Sequence, residues 1–289
     1  MLAQLIVSGV ALGAIYALVA LSMTVVYRAT TVLNFGHGDL VMAGAFIVYV
    51  LVLQLGIPYL PAALSSLGLL FLLGLGMQRG LIQRMRGGPH IALVMMTISV
   101  GYLLRGIARM LWGRDVLPMP RAFTVPPLLV GNVVITGDDL VITGSVFILT
   151  ALFFLIFYRT ELGKRVQAVS QSERGAALVG INVPRIHGTM WGVGAAMGAL
   201  GGALIAPVTL LYPDMGAHLL IRGFAAMSLG GFGSLWGAVI GGVLMGVIEH
   251  LSGFYLSTAL IDIAAYLIII VVLVVRPAGL LGRQVAVRV

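Results

Sequence analysis

The sequence predicts an all-α polytopic membrane protein of about eight spans plus one short or re-entrant glycine-rich helix. Three observations carry this. Of the 289 residues 60% are hydrophobic and 9% charged, where a soluble domain carries about 25% charged residues. The mean hydropathy is +1.11. The apolar runs are long and continuous, without period-two alternation, so helices and not barrel strands satisfy the backbone in lipid.

The spans follow from the uncharged runs. The first is about Leu2–Tyr27, retained as a helix because no basic stretch precedes it as in a signal peptide. From Asp39 to Arg79 no charge intervenes, and "LGIPYLP" (Leu55–Pro61) divides the run into Leu40–Gln54 and Pro61–Gln78. Ile91–Trp112, Leu140–Tyr158, His187–Leu211, Leu235–Glu249 and Thr258–Val275 complete the set. "LLIRGFAAMSLGG" (Leu219–Gly231) is short for a crossing, since about 20 residues are needed. It reads as a tilted short span or a re-entrant half-helix.

Charge sets the orientation. The net charge is +8 and the pI about 10.3, but the basic residues cluster in a few inter-helix segments, so lipid and not nucleic acid is the implied partner. With the N-terminus outside, the inner face receives Arg28, Arg79, Arg84, Arg86, Arg159, Lys164, Arg165, Arg174, Arg185, Arg276, Arg283 and Arg288. The outer side keeps Arg105, Arg109, Arg114, Arg121 and Arg222, with Asp115, Asp138, Asp139, Asp214 and Glu249. The chain reads as one transmembrane domain, residues 1–289, with a cytoplasmic loop at 159–186, an ordered Pro-rich outer loop at 113–139 and the C-terminus inside.

Several chemistries are missing. There is no cysteine, hence no disulfide or thiolate site. "ELGKRV" (Glu161–Val166) lacks the glycines and the hydroxyl of a Walker A loop. No His and carboxylate set has zinc spacing. The acids lie near span ends, Asp262 being the deepest, so a proton-driven carrier is poorly supported. Gly194, Gly198 and Gly202, then Gly233, Gly237 and Gly241, then Gly242 and Gly246, recur at four-residue spacing. That spacing suits close helix packing in lipid, and also a subunit interface or a path lined by small residues.

Among these apolar runs "QSERGAALVGINVPR" (Gln171–Arg185) stands out. Ser172 is a good N-cap, Glu173 favours the first turn, and Ala176, Ala177, Leu178 and Val179 continue the helix. Gly180 stops it and Pro184 lies beyond. A helix of about two turns is marginal alone, and this one suits a groove on a partner protein.

At these residues the chain resembles a known family. The segment is similar to the coupling loop of permease subunits in ATP-binding-cassette importers. "VLNFGHGDLVMAGAF" (Val32–Phe46), "AAMSLGGFGSLWGAVIGG" (Ala225–Gly242) and "VVRPAGLLG" (Val274–Gly282) resemble the branched-chain (hydrophobic) amino-acid permeases of the LivH type, over about Gly9–Gly282. Gly36 stands where alanine is common, and Phe46 near the usual tyrosine.

The resemblance implies a permease bundle that forms the translocation path by alternating access. It implies a second related permease, two ATPase subunits that hold the ATP and magnesium, and a periplasmic or lipid-tethered binding protein. This chain is expected to bind no cofactor or metal, to lack ATPase activity, and to lie in a bacterial inner membrane. ATPase coupling is assigned to Ser172, Glu173, Arg174, Ala176, Ala177, Leu178, Gly180, Ile181 and Asn182. Path or gate residues are Asn34, Phe35, His37, Asp39, Arg222, Phe224 and Met227. The plainer reading of the first loop is a tight turn, with Asp39 capping the next helix. Arg109, Arg114 and Arg121 are candidate docking points for the binding protein, although Arg105 and Arg109 could simply snorkel to headgroups. Related importers for urea, short amides or other small carboxylates share these motifs, and a stand-alone carrier or channel is the alternative of another class. A carrier would have no use for the docking helix, and a membrane enzyme would need a catalytic set that the sequence lacks.

Overall fold

The computed structural model of the protein describes residues 2–85, 87–121, 125–131, 133–258 and 260–282. Arg86, Thr124, Arg283 and Arg288 lie outside the described residues. Among the described residues seven helices are long and apolar enough to cross a membrane. The sequential elements are α1 (Leu2–Thr30), α2 (His37–Tyr49), α3 (Tyr59–Met77), α4 (His90–Trp112), a hairpin of β1 (Leu128–Val130) and β2 (Val133–Ile135), and α5 (Gly137–Arg159). Then follow α6 (Glu161–Gln171), α7 (Glu173–Leu178), α8 (Val183–Thr209), α9 (Met215–Gly230), α10 (Leu235–Tyr255) and α11 (Leu260–Val275). α2 and α3 each continue in a π-helical turn, Val50–Gln54 and Gln78–Ile82. α11 is apolar but has 16 residues, two fewer than the expected last span, and α9, the glycine-rich helix, also has 16.

Helix starts differ from that reading at α8. The helix starts at Val183, four residues before the expected His187, and Pro184 sits in its first turn, where a missing N–H costs nothing. Asn182 is the N-cap, its Oδ1 accepting from the Arg185 N–H at 3.0 Å. The polar segment also holds a second helix that the reading missed. α6 starts at Thr160, whose Oγ1 accepts from the Gly163 N–H, and buries Val166 and Val169 on one face. Leu162, Val166 and Val169 stand at i, i+4 and i+7, so the amphipathic signal was present.

The chain forms two compact units. The larger comprises Val25–Ala122 and Ser145–Leu220. α8 is its centre, with α2 and α3 packed on it. One α8 face carries Trp191, Ala195 and Ala199, buried with Leu40 and Leu70. Gly198 and Gly202, at i+3 and i+7 from Ala195, lie against His37 and Val41 of α2. The Tyr59 hydroxyl donates to the Ala203 carbonyl of α8.

The second unit comprises Met1–Thr24, Phe123–Gly144 and Ile221–Val289. Here α1 and α10 cross closely. A side chain at Gly13 or Gly246 would run into the other helix's backbone, so these glycines build helix contact inside the unit. β1 and β2 pair antiparallel with Leu129 opposite Val134. Gln4 pins the hairpin, its amide exchanging two 2.8 Å bonds with the Val134 backbone. Gly231, at φ +107°, ends α9, and the tail then covers that end. The Leu280 and Leu281 N–H groups donate to the Leu229 and Gly230 carbonyls at 2.8 and 2.9 Å. The two C-terminal motifs that carry the family resemblance therefore bond to each other.

Candidate functional site

In the larger unit a polar line runs along α4. The Phe35 N–H donates to Thr97 Oγ1 at 3.2 Å, and Asn34 Oδ1 accepts from the Gly36 N–H at 3.0 Å. Gly36 lies against Thr97 and Gly101, where a Cβ would meet the α4 backbone. The loop that starts α2 therefore packs against the middle of α4 and not against its end. α2 has Gly36 at its N-cap position and no side-chain cap. Asp39 is not the cap that the sequence suggested. Its carboxylate turns to Arg105, accepting from Nε at 3.0 Å and from Nη2 at 3.2 Å. An unpaired carboxylate at such depth would be costly, and a bidentate guanidinium offsets that cost where a helix N-terminus alone would not.

Arg105 accordingly does not snorkel. Its side chain is 14% exposed and that of Asp39 5%. Asp214 extends the line, 3.8 Å from Arg105 Nη1 and hydrogen-bonded to Arg109 Nη2. Its side chain is 43% exposed and that of Arg109 36%. Asp214 directly precedes α9, whose Gly216 touches Gly38 backbone to backbone. The N-termini of α2 and α9 thus meet beside the two ion pairs. His37 is fully buried, its imidazole against Gly198 of α8. Beside this line, between α2, α3 and α4, lies an apolar cavity of about 320 Å³ lined by Met42, Ala43, Phe46, Leu104, Ala108 and Leu111, among others.

The remaining path candidates belong to the second unit. Arg222 of α9 is bound from several sides. Its Nε donates to Glu249 Oε2 at 3.2 Å, and its Nη2 lies 3.1 Å from Glu249 Oε1 and 3.5 Å from Asp262. The Tyr16 hydroxyl donates to Glu249 at 3.2 Å, and its ring faces the Arg222 guanidinium at 5.9 Å. Glu249, read from the sequence as an outer surface acid, is 3% exposed. Phe224 meets Phe232 edge-on and Met227 is fully buried. Tyr16 and Glu249 were missed as site residues, and Arg105 was read only as snorkelling or as a docking cation, not as the partner of Asp39. The available signal was the rule that an ionisable group inside an apolar run needs a named partner.

The polar segment is ordered. Ser172 caps α7, its Oγ accepting from the Gly175 N–H at 3.0 Å. Gly180, at φ +83°, ends the turn, and the Ile181 N–H bonds back to the Ala176 carbonyl. Ala176 is 4% exposed, held inward, while Leu178 and Val179 are 82% and 76% exposed. Ala177 and Arg174 also face outward. Glu173 sits 3.4 Å from His187 Nε2, tying α7 to α8. A polar groove of about 400 Å³ follows, lined by Arg79, Gln83, Asn182, Pro184 and Arg185. Arg114 and Arg121 are exposed in the segment after α4. Among the described residues no three His, Asp or Glu side chains are placed to hold a metal ion.

The family model for "Branched-chain amino acid transport system / permease component" matches residues 5–275. The chain is 29% identical over 293 residues to the high-affinity branched-chain amino acid transport system permease protein LivH of Salmonella typhimurium, covering 97% of this chain and 95% of that one. It is 28% identical over 299 residues to the permease protein BraD of Pseudomonas aeruginosa, with the same coverage. A solved structure, PsaBC from Streptococcus pneumoniae in complex with Fab, aligns over 95% of this chain and 91% of that chain, with 14% identity and a TM-score of 0.49.

Proposed function

The chain belongs to the family of branched-chain amino-acid transport permeases, and from that premise we propose that it is the membrane permease of an ATP-driven importer for branched-chain and other hydrophobic amino acids. It pairs with a second related permease. Two cytoplasmic ATPase subunits hold ATP and magnesium and close when ATP binds, and an outer binding protein delivers the amino acid. The N-terminus is outside, Arg159–Ile186 is cytoplasmic and Gly113–Asp139 is external. The chain binds no nucleotide itself.

The observation that carries this reading is α7. A two-turn helix with a capped start and a glycine stop packs against α6 and α8, with Ala176 turned inward and Glu173 near His187. It leaves Leu178 and Val179 uncovered, which is the form of a helix that seats in a partner's groove. Because α7 packs against α6 and α8, movement of a docked ATPase passes into the helix that carries the α2 and α3 contacts. The line from Asn34 and Phe35 through His37 and Asp39 then serves as gate or path. Arg114 and Arg121 face the binding protein, while Arg109, the third candidate, is held by Asp214.

The test compares the outward face of α7 with the outer loop. Ala177→Trp puts bulk on the outward face and should abolish ATP-driven leucine uptake and loosen ATPase co-purification. Overpacking a close interface costs about 1–3 kcal/mol. The permease itself should stay folded, as should Val116→Trp in the 113–139 loop, which should keep its ATPases. Normal uptake and co-purification by Ala177→Trp would remove the docking role.

A further inference from the structure

We propose that the Asp39–Arg105 pair and the α2–α4 cavity beside it form a recognition site for a zwitterionic amino acid with an aliphatic side chain. The substrate carboxylate takes Arg105, its ammonium takes Asp39, and its side chain enters the cavity. This rests on the transport function proposed above and names where, inside the permease, the substrate is read.

Charge balance is the first argument. Asp39, Arg105, Asp214 and Arg109 form a set of two anions and two cations. A solute of single charge would leave an uncompensated charge at this depth, which is strongly unfavourable. A zwitterion brings one charge of each sign, so each ion pair opened is replaced by another. The second argument is access. Asp214 and Arg109 are about two-fifths exposed, Arg105 is 14% exposed and Asp39 5%. The line therefore offers a stepwise passage from a half-open pair to a closed one. The third argument is the cavity. Met42 and Ala43 follow Asp39 by one helical turn, and Ala108 follows Arg105 by one turn. A molecule whose charged end lies on the pair therefore has its side chain within one helical turn of the cavity-lining residues. The cavity walls are apolar, and the Phe46 and Trp112 rings, 4.7 Å apart, line the cavity one further turn on. Its volume, about 320 Å³, is at the small end of ligand pockets, which suits an aliphatic side chain.

The experiment uses the complete importer in nanodiscs without its binding protein and measures equilibrium binding of radiolabelled leucine. ATP-driven leucine uptake by the same preparation, with binding protein added, is measured in parallel. Unlabelled isoleucine should displace leucine. 4-Methylpentanoate, which lacks the ammonium, and 3-methylbutylamine, which lacks the carboxylate, should compete more than about a hundredfold less well, because each leaves a buried group of the site unpaired. Ala108→Phe, which fills the cavity, should lose leucine binding with ATPase association intact. Asp39→Asn should bring 4-methylpentanoate to the level of leucine, a change that a merely structural ion pair would not produce. The proposal is overturned if leucine uptake proceeds but no specific binding occurs, if either single-charge analogue competes as well as leucine, or if neither variant changes binding. Absence of uptake for any amino acid would overturn the transport reading, and this one with it.

Discussion

Replacing Glu249 by glutamine removes one charge from the Tyr16, Arg222, Glu249 and Asp262 cluster while keeping its shape and its bond from Tyr16. Two carboxylate contacts to Arg222, at 3.1 and 3.2 Å, are affected. At that distance, with an effective dielectric near 20, the attraction is about 5 kcal/mol before desolvation is counted. Desolvation offsets part of it, since the Glu249 and Arg222 side chains are only 4% and 17% exposed. Asp262, at 3.5 Å and 81% exposed, remains as a second and well-hydrated partner. The expected coupling between Glu249→Gln and Arg222→Gln is therefore about 2–3 kcal/mol, toward the low end for close charge pairs. An ordinary hydrogen bond between membrane helices averages about 0.6 kcal/mol, so the two cases are separable. The assay is a double-mutant cycle on the purified protein, unfolded by rising SDS in mixed micelles and followed by tryptophan fluorescence or circular dichroism. A coupling under about 1 kcal/mol would mean that the cluster acts as a set of neutral contacts and that Arg222 is held by packing.

Three further outcomes follow from other parts of the molecule. Because the chain has no cysteine, single cysteines at Ser172 and Val116 can be labelled cleanly; an impermeant maleimide should reach Val116→Cys in intact cells and Ser172→Cys only after permeabilisation, and labelling of both from outside would refute the orientation. The purified chain alone should hydrolyse ATP at background rate, with turnover appearing when ATPase subunits are added; turnover without them would refute the subunit reading. Gly38→Ala should lower thermal stability, because the new methyl meets the Gly216 backbone, at a cost of about 1–3 kcal/mol. Gly76→Ala has open space around it and should be neutral or stabilising by up to about 1 kcal/mol through helix propensity; equal effects at the two positions would refute the close α2–α9 contact.

The spans were legible because charge is excluded from lipid, and the uncharged runs locate the long helices closely except α10, which runs six residues past Glu249. Helix α7 was legible from Ser172 and Gly180, since capping is a local property. Helix α6 was passed over because polar composition outweighed its apolar stripe. The height of the Asn34–Asp39 loop was not legible, because a sequence orders segments along the chain but does not say how deep a turn lies. Nor were the ion pairs. Arg105 stands 66 residues from Asp39, and Arg222 27 from Glu249. From sequence alone each arginine could equally have reached headgroups. Packing decides between the two, by bringing Gly101 and Gly36 close enough for Asp39 to face α4.

The pairing of α1 with α10 bears on how the protein is made. Tyr16 donates to a carboxylate 233 residues further along the chain. Ribosomes add residues at roughly 5–20 per second, so α1 waits on the order of 10–50 s in the bilayer before Glu249 is synthesised. Throughout that interval the glycine face of α1 and the Tyr16 hydroxyl have lipid, water or another protein for company. A membrane chaperone that shields small-residue helix faces would therefore act first on α1. A separately expressed Leu2–Thr30 segment should also be able to compete for α10 during synthesis, but not after the chain has closed.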